Sequence, residues 1–309
     1  MRKWIIALIA CLLLMLAAVY FLIPDEITIK SNVGINATNG GLHRMLLDSK
    51  NVAKWWPGEV SRDSFYLQGK NYRIEEGNIA VLPVFINGAQ INLTSSLFFV
   101  PIFTDSTQVV WKISLPASNN PFKRFQAYRQ SESLRQDMAL VLEKMKIFYS
   151  KQENIYGAAV KKVYVRDTFF IAHQLTVKGY PSTEFLYDHI RQLRDYAKSR
   201  GAKENGFPIN NIRTSDNENY DLIIAVPVDK ILPSSGDVLQ KNLPAGCFLL
   251  EAEVKGGVKT VQGMYKQMEY FMDDYKQKAP ALPFFSLITE RPAEPDTTKW
   301  TTRICFPVF

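Results

Sequence analysis

The sequence predicts an α+β protein with one N-terminal transmembrane helix, a strand-rich domain closed by a long helix, and a duplicated β-α-β-β unit. Three observations predict it. An uncharged apolar run, Trp4 to Ile23, follows Met1-Arg2-Lys3. Segments rich in Val, Ile, Leu and Phe lead into a helical pattern from about Pro121 to Gln152. The last half of the chain then carries one pattern twice, at about 165–228 and about 243–308. The boundaries that follow are 1–24 for the anchor, 26–152 for the first domain and 158–309 for the second.

As a helix, the apolar run measures about 30 Å, the thickness of a bilayer's hydrocarbon core. Arg2 and Lys3 precede it, and Asp25 and Glu26 follow it. The positive-inside rule puts the N-terminus in the cytoplasm and the domains outside, at the inner membrane of a bacterial cell. A cleaved signal peptide and a lipoprotein signal at Leu8-Ile9-Ala10-Cys11 are the rival readings. Against the first, no small-x-small cleavage site follows Ala17-Ala18 before Pro24. Against the second, cleavage before Cys11 leaves another apolar run, Leu12 to Ile23.

Composition fits a folded chain: 309 residues, 47% apolar and 22% charged. The formal charge is +7 and the pI about 9.1, but the basic residues are scattered. With no helix-turn-helix pattern, zinc finger or basic arm, no nucleic-acid partner is expected. No Cys/His cluster has metal-ligand spacing and no phosphate loop appears, so neither metal nor cofactor is expected. Cys247 and Cys305 fall on the first and last strands of the second repeat. They read as two buried apolar residues or, outside the cytoplasm, as one disulfide.

The first domain opens on an alternating strand, Ile27 to Val33. Short helices follow around Leu42–Leu47 and Val52–Trp55, ending at Trp56-Pro57-Gly58. Strands are expected at 78–86, 89–98 and 108–115, with turns at Ile86-Asn87-Gly88 and at 101–108. This order, with the stretch through Trp55-Trp56-Pro57-Gly58, resembles the START/polyketide-cyclase (SRPBCC, helix-grip) superfamily. The resemblance implies an apolar cavity between a curved sheet and the last helix. Trp55, Trp56, Phe85, Phe98, Phe99 and Phe103 are its candidate lining, or else plain core. Lys151 to Gly157, with no Pro/Ser/Gly-rich tether, reads as a short linker.

Each repeat opens on a strand ending Val-Lys-Gly (177–179 and 254–256), continues into one helix, and closes on a strand ending Pro-Val (227–228 and 307–308). Tyr220 to Val228 resembles the middle strand of the GyrI-like, or bacterial transcription-activator effector-binding, domain. Leu243-Pro244-Ala245-Gly246 through the helix with Tyr265, Tyr270 and Phe271 resembles its second half. So does the ending, Pro295 to Trp300 and then Arg303 to Val308. The resemblance implies a two-copy sandwich with a central pocket for amphipathic small molecules. Members that bind cationic drugs carry a carboxylate where this chain has Arg303. An Arg there selects anions, or else points to solvent.

The candidate ligand-binding residues are therefore Tyr265, Tyr270, Phe285, Trp300 and Arg303. Glu251 and Glu290 are the candidate catalytic pair, on the first and second strands of the second repeat, if the protein is a hydrolase. Of the histidines, His173 and His189 fall on the strand and helix of the first repeat, and His43 lies apart. The expected function is a membrane-anchored protein, held by residues 4–23, that senses or sequesters a small amphipathic or aromatic ligand. The alternative is an anchored hydrolase of a small molecule.

Overall fold

Alternation of Ile27 and Ile29 with polar neighbours makes β1 (Glu26–Ile35) an inward-facing strand. The computed structural model describes residues 2–309 apart from Gln90, 166–168, Asn217, Pro244, Ala245 and Cys247; of the side chains at 2, 8, 12 and 15 nothing is said. The chain divides into two compact units, Met1–Lys151 and Gln152–Phe309.

In the first unit, α1 (Arg2–Leu22) is long and apolar enough to cross a membrane, a property it shares with signal sequences. Its described side chains are mostly exposed, Phe21 at 89%. Its exit is fixed by Arg124, which donates to the Ile23 carbonyl and pairs with Asp25 at 2.7 Å. After β1 come α2 (Asn39–Leu47) and α3 (Ser49–Val52), capped by Thr38 and Asp48. Six strands follow: β2 (Glu59–Ser61), β3 (Ser64–Leu67), β4 (Lys70–Ile74), β5 (Val81–Gly88), β6 (Ile91–Phe103) and β7 (Ser106–Pro116). They form one antiparallel sheet, ordered β1-β7-β6-β5-β4-β3-β2.

The sequence reading did not resolve β2, β3 and β4. They are only three to five residues long, too short for alternation to stand out. The signal that was present is Gln68-Gly69, both at positive φ (48° and 72°), the geometry of a two-residue hairpin turn.

The helix α4 (Pro121–Tyr149) starts where the Asn120 side chain accepts from the Phe122 and Lys123 amides, with Pro121 in the first turn. Leu134, Met138, Val141, Met145 and Tyr149 recur at helical spacing and face the sheet. The helix crosses from β1 and β7 to β4. Trp55 donates its indole N–H to the Tyr149 hydroxyl at 2.9 Å, and Trp56 to the Tyr66 carbonyl at 3.1 Å. The Trp56 ring lies 5.2 Å from Phe65 and 5.5 Å from Tyr72. Trp55, Trp56 and Phe99 are thus packed core. Phe85 and Phe98 are half-buried, and Phe103 is exposed, outside any interior.

In the second unit, α5 (Glu153–Tyr156) leads to β8 (Lys161–Tyr164). The first repeat is β9 (Phe169–Lys178), α6 (Thr183–Ser199), β10 (Ile209–Thr214) and β11 (Asn219–Val228). After β12 (Leu239–Asn242), the second is β13 (Phe248–Lys255), α7 (Val258–Asp274), β14 (Phe284–Leu287) and β15 (Thr301–Val308). The sheet order, β12-β9-β11-β10-β14-β15-β13-β8, reads symmetrically about the β10–β14 seam. The lead strands are exchanged: β8 pairs with β13 of the second repeat, and β12 with β9 of the first.

The shared Lys-Gly has a physical cause. Gly179 and Gly256 sit at φ 76° and 142°, where the chain leaves the strand for the helix. A Cβ on Gly256 would meet Thr260 at 2.6 Å. Their amides donate to Glu218 and Trp300, the residues just before β11 and β15. The Pro-Val endings are not equivalent. From the matched pairs Lys178–Asn219 and Lys255–Thr301, Pro227 and Pro307 fall two residues out of step.

Candidate ligand-binding cleft

Strand register sorts the side chains of this sheet into two faces, because paired residues point the same way. Thr302, Ile304, Phe285, Asn210, Ile224 and His173 lie on one face, under α6 and α7. Glu251, Glu253, Arg303, Cys305, Ser286 and Ala225 lie on the other.

On the helix-covered face a cleft of about 420 Å³ opens at the seam of the repeats. β14 pairs with β10 only at Ile209 and Asn210, which leaves the rest of β10 as one wall. The α7 residues Val258, Val261 and Tyr265, spaced for one helix face, form the opposite wall. Phe285 and Thr302 make the floor, and Tyr180, Leu282 and Arg291 complete the lining. The Tyr265 ring rests 5.7 Å from Phe285 and 5.2 Å from Phe306. Burial pushes the Tyr265 phenol above its usual range, with Glu269 adding to the effect.

Arg291 is the residue that sequence reasoning missed. It sits in the loop between β14 and β15, which Tyr187 and Arg194 of α6 hold in place. The Tyr187 hydroxyl accepts from the Arg291 amide and donates to the Thr289 carbonyl, both at 3.1 Å. The Arg291 guanidinium lies 4.7 Å over the Trp300 ring and donates to the Thr302 hydroxyl at 3.1 Å. Burial draws its pKa below the usual value, while Tyr187 and Tyr180 pull the other way. Among the described residues no carboxylate pairs with it. Asn210, 3% exposed, lines the same cleft with its Oδ1 unbonded.

Of the expected binding residues, the structure brings Tyr265 and Phe285 together in the cleft. Tyr270 is also on α7 but outside the lining, with Lys266 over its ring. Trp300 lies beneath Arg291 and donates its indole N–H to the Glu294 carbonyl at 2.7 Å. Arg303 is on the opposite face, bonded to Glu253 at 2.7 Å and 3.6 Å from Glu251. Its charge is matched there, so the anion-selecting role assigned to it has no place in the cleft.

The carboxylate pair is corrected too. Glu251 is on β13 as expected, half-buried on the helix-free face. Burial raises its pKa, while Arg303 holds it down. Glu290 is not on a strand. It follows β14 and takes both forks of Arg194, at 3.1 and 3.3 Å. The two carboxylates therefore serve different faces of the sheet and make no acid/base couple. Cys305 is a buried free thiol, and Cys247 lies outside the described residues, so the disulfide expectation has no geometry here.

His173 and His189 do meet, Nδ1 to Nδ1 at 2.8 Å, so one proton at most sits between them. Burial lowers the His173 pKa from 6.5, His189 lowers it further, and Asp237 opposes. A depressed folded-state pKa gives stability that is present above the unfolded value and is lost as pH falls through the folded one. The thermal midpoint of the second unit is expected to drop on acidification from about pH 7 to about pH 5. Replacing His173 by Asn should flatten that slope, replacing His189 by Asn should flatten it only in part because burial of His173 remains, and a slope unchanged in the His173 variant would assign it to other groups.

No protein-family model matches the chain, and no curated protein matches it. Several solved structures show partial likeness, three of which illustrate the range. The EcmrR C-terminal domain is 16% identical, with a TM-score of 0.43, over 49% of this chain and 98% of that one. A hydrolase from Listeria innocua is 11% identical, with a TM-score of 0.37, over 49% and 92%. Aha1 from Colwellia psychrerythraea is 15% identical, with a TM-score of 0.32, over 40% and 96%. With TM-scores under 0.5, these likenesses bear on neither family nor function.

Proposed function

We propose that the second unit is a small-molecule-binding domain of the GyrI-like, effector-binding kind, and that α1 anchors it to the inner membrane with both domains outside the cytoplasm. On this reading the protein senses or sequesters an amphipathic molecule. The observation that carries it is the cleft at the repeat seam. Its volume of about 420 Å³ is in the range of small-ligand sites, and its aromatic and aliphatic walls converge on a few polar groups. The first unit, proposed as helix-grip in type, is given no separate ligand, because its inner aromatics pack on one another.

The test is retention. The full chain in lipid nanodiscs is incubated with an extract of its own cells, and bound molecules are identified by mass spectrometry. A molecule enriched on the wild type is expected to bind about tenfold more weakly to Tyr265→Ala, which loses one aromatic wall. The same molecules held equally by both proteins would place binding elsewhere. A hydrolysed product in the extract would return the hydrolase reading, with residues other than Glu251 and Glu290.

A further inference from the structure

We propose that the ligand of this cleft is an anion, a flat or amphipathic molecule bearing a carboxylate or similar acidic group, and that Arg291 is its counter-ion. The inference rests on the cleft being the binding site and adds the chemical class of what fills it.

Four observations converge. No Asp or Glu is among the described residues that line the cleft. Of its two cations, Arg213 is already paired with Asp221 at 3.2 Å, whereas Arg291 has no carboxylate partner among the described residues. Removing a cation from water without a counter-ion is unfavourable. The fold nevertheless holds this one in place, with Trp300 beneath it, Thr302 beside it and Tyr187 on its amide. Thr302 takes one terminal nitrogen, so the guanidinium keeps donors for a ligand's acid group. Tyr265, Phe285 and Leu282 supply the walls for the ligand's apolar body.

Arg303 is the residue that the sequence suggests for this role. It faces away from the cleft, with Glu253 and Glu251 as partners, so the two arginines make opposite predictions.

The test uses three isosteric probes: 2-naphthoate, 2-naphthamide and 2-naphthamidinium. Each is titrated calorimetrically into the full chain in nanodiscs, with empty nanodiscs subtracted. The naphthoate is expected to bind at least about tenfold tighter than the other two. Arg291→Met should weaken naphthoate by about tenfold to a hundredfold and leave the amide unchanged. Arg291→Lys, which keeps the charge but loses the fork, should fall between, and Arg303→Met should have no effect. If naphthoate and amide bind equally and Tyr265→Ala weakens both, the cleft stands and the anion inference falls. If no probe binds, or none responds to Tyr265→Ala, the cleft reading falls and takes the inference with it. Matching thermal midpoints among the variants establish that each is folded.

Discussion

Replacing Asp137 by Ala is expected to destabilise the first unit by about 3–5 kcal/mol, the cost of stranding a buried charge. Asp137 is fully buried on α4. Its Oδ2 accepts from the Lys70 ammonium at 2.7 Å and from the Tyr72 hydroxyl at 2.6 Å. The Lys70 side chain is itself only 9% exposed and its other partner is the Ser133 hydroxyl. Burial, reinforced by Asp137, pushes the Tyr72 phenol far above its usual range, so it donates at every working pH. Without the carboxylate, the Lys70 ammonium loses its counter-ion. The double replacement Lys70→Met with Asp137→Leu removes both charges and should recover most of the loss. Urea denaturation followed by tryptophan emission measures each variant. A cost below about 1 kcal/mol for Asp137→Ala would mean that Lys70 reaches water once the pair is broken.

Replacing Trp300 by Ala is expected to cost the second unit about 3–5 kcal/mol, as for other buried Trp truncations, and to abolish anion preference although Trp300 does not line the cleft. Its ring supports Arg291, its indole bonds the loop carbonyl of Glu294, and its own carbonyl accepts from Gly256. Trp300→Phe keeps a ring and drops the N–H, so about 1 kcal/mol is expected from the lost hydrogen bond. Hydrogen exchange of the loop and probe titration read the two effects separately. Anion preference surviving in Trp300→Ala would show that Thr302 and Tyr187 suffice to hold the guanidinium.

The repeat was legible because Val-Lys-Gly marks a backbone requirement, the positive-φ exit from β9 and β13, and not merely a matching peptide. Pro-Val marked nothing equivalent. Long α4 announced itself through apolar spacing, whereas β2 to β4 were too short for any period to emerge. Tyr265 and Phe285, offered by the sequence as aromatic side chains, both line the cleft, whereas Tyr270 on the same helix does not. Arg303 was misplaced for want of register. In β15 the run Ile304-Cys305-Phe306-Pro307 is apolar on both faces, which hides the parity that puts Arg303 opposite Thr302. The available clue was the Glu251 and Glu253 pair on β13, whose spacing matches the face Arg303 occupies. Arg291 and Trp300 meet across a loop, where no period predicts contact.

The exchanged lead strands make each repeat incomplete without the other, since β8 and β12 find their partners only across the seam. A single repeat expressed alone would have to borrow its edge from a second copy, as a strand-swapped homodimer does. Such a dimer is bound to show every side chain twice about its axis, so a cation brought in from one side arrives from the other as well, and the two repel. Fusion into one chain lifts that constraint. Here the last connections of the two copies differ, with four residues between β10 and β11 and thirteen between β14 and β15. The longer connection carries Arg291, and on the proposed reading it would let a nearly symmetric scaffold hold an asymmetric ligand in a single orientation.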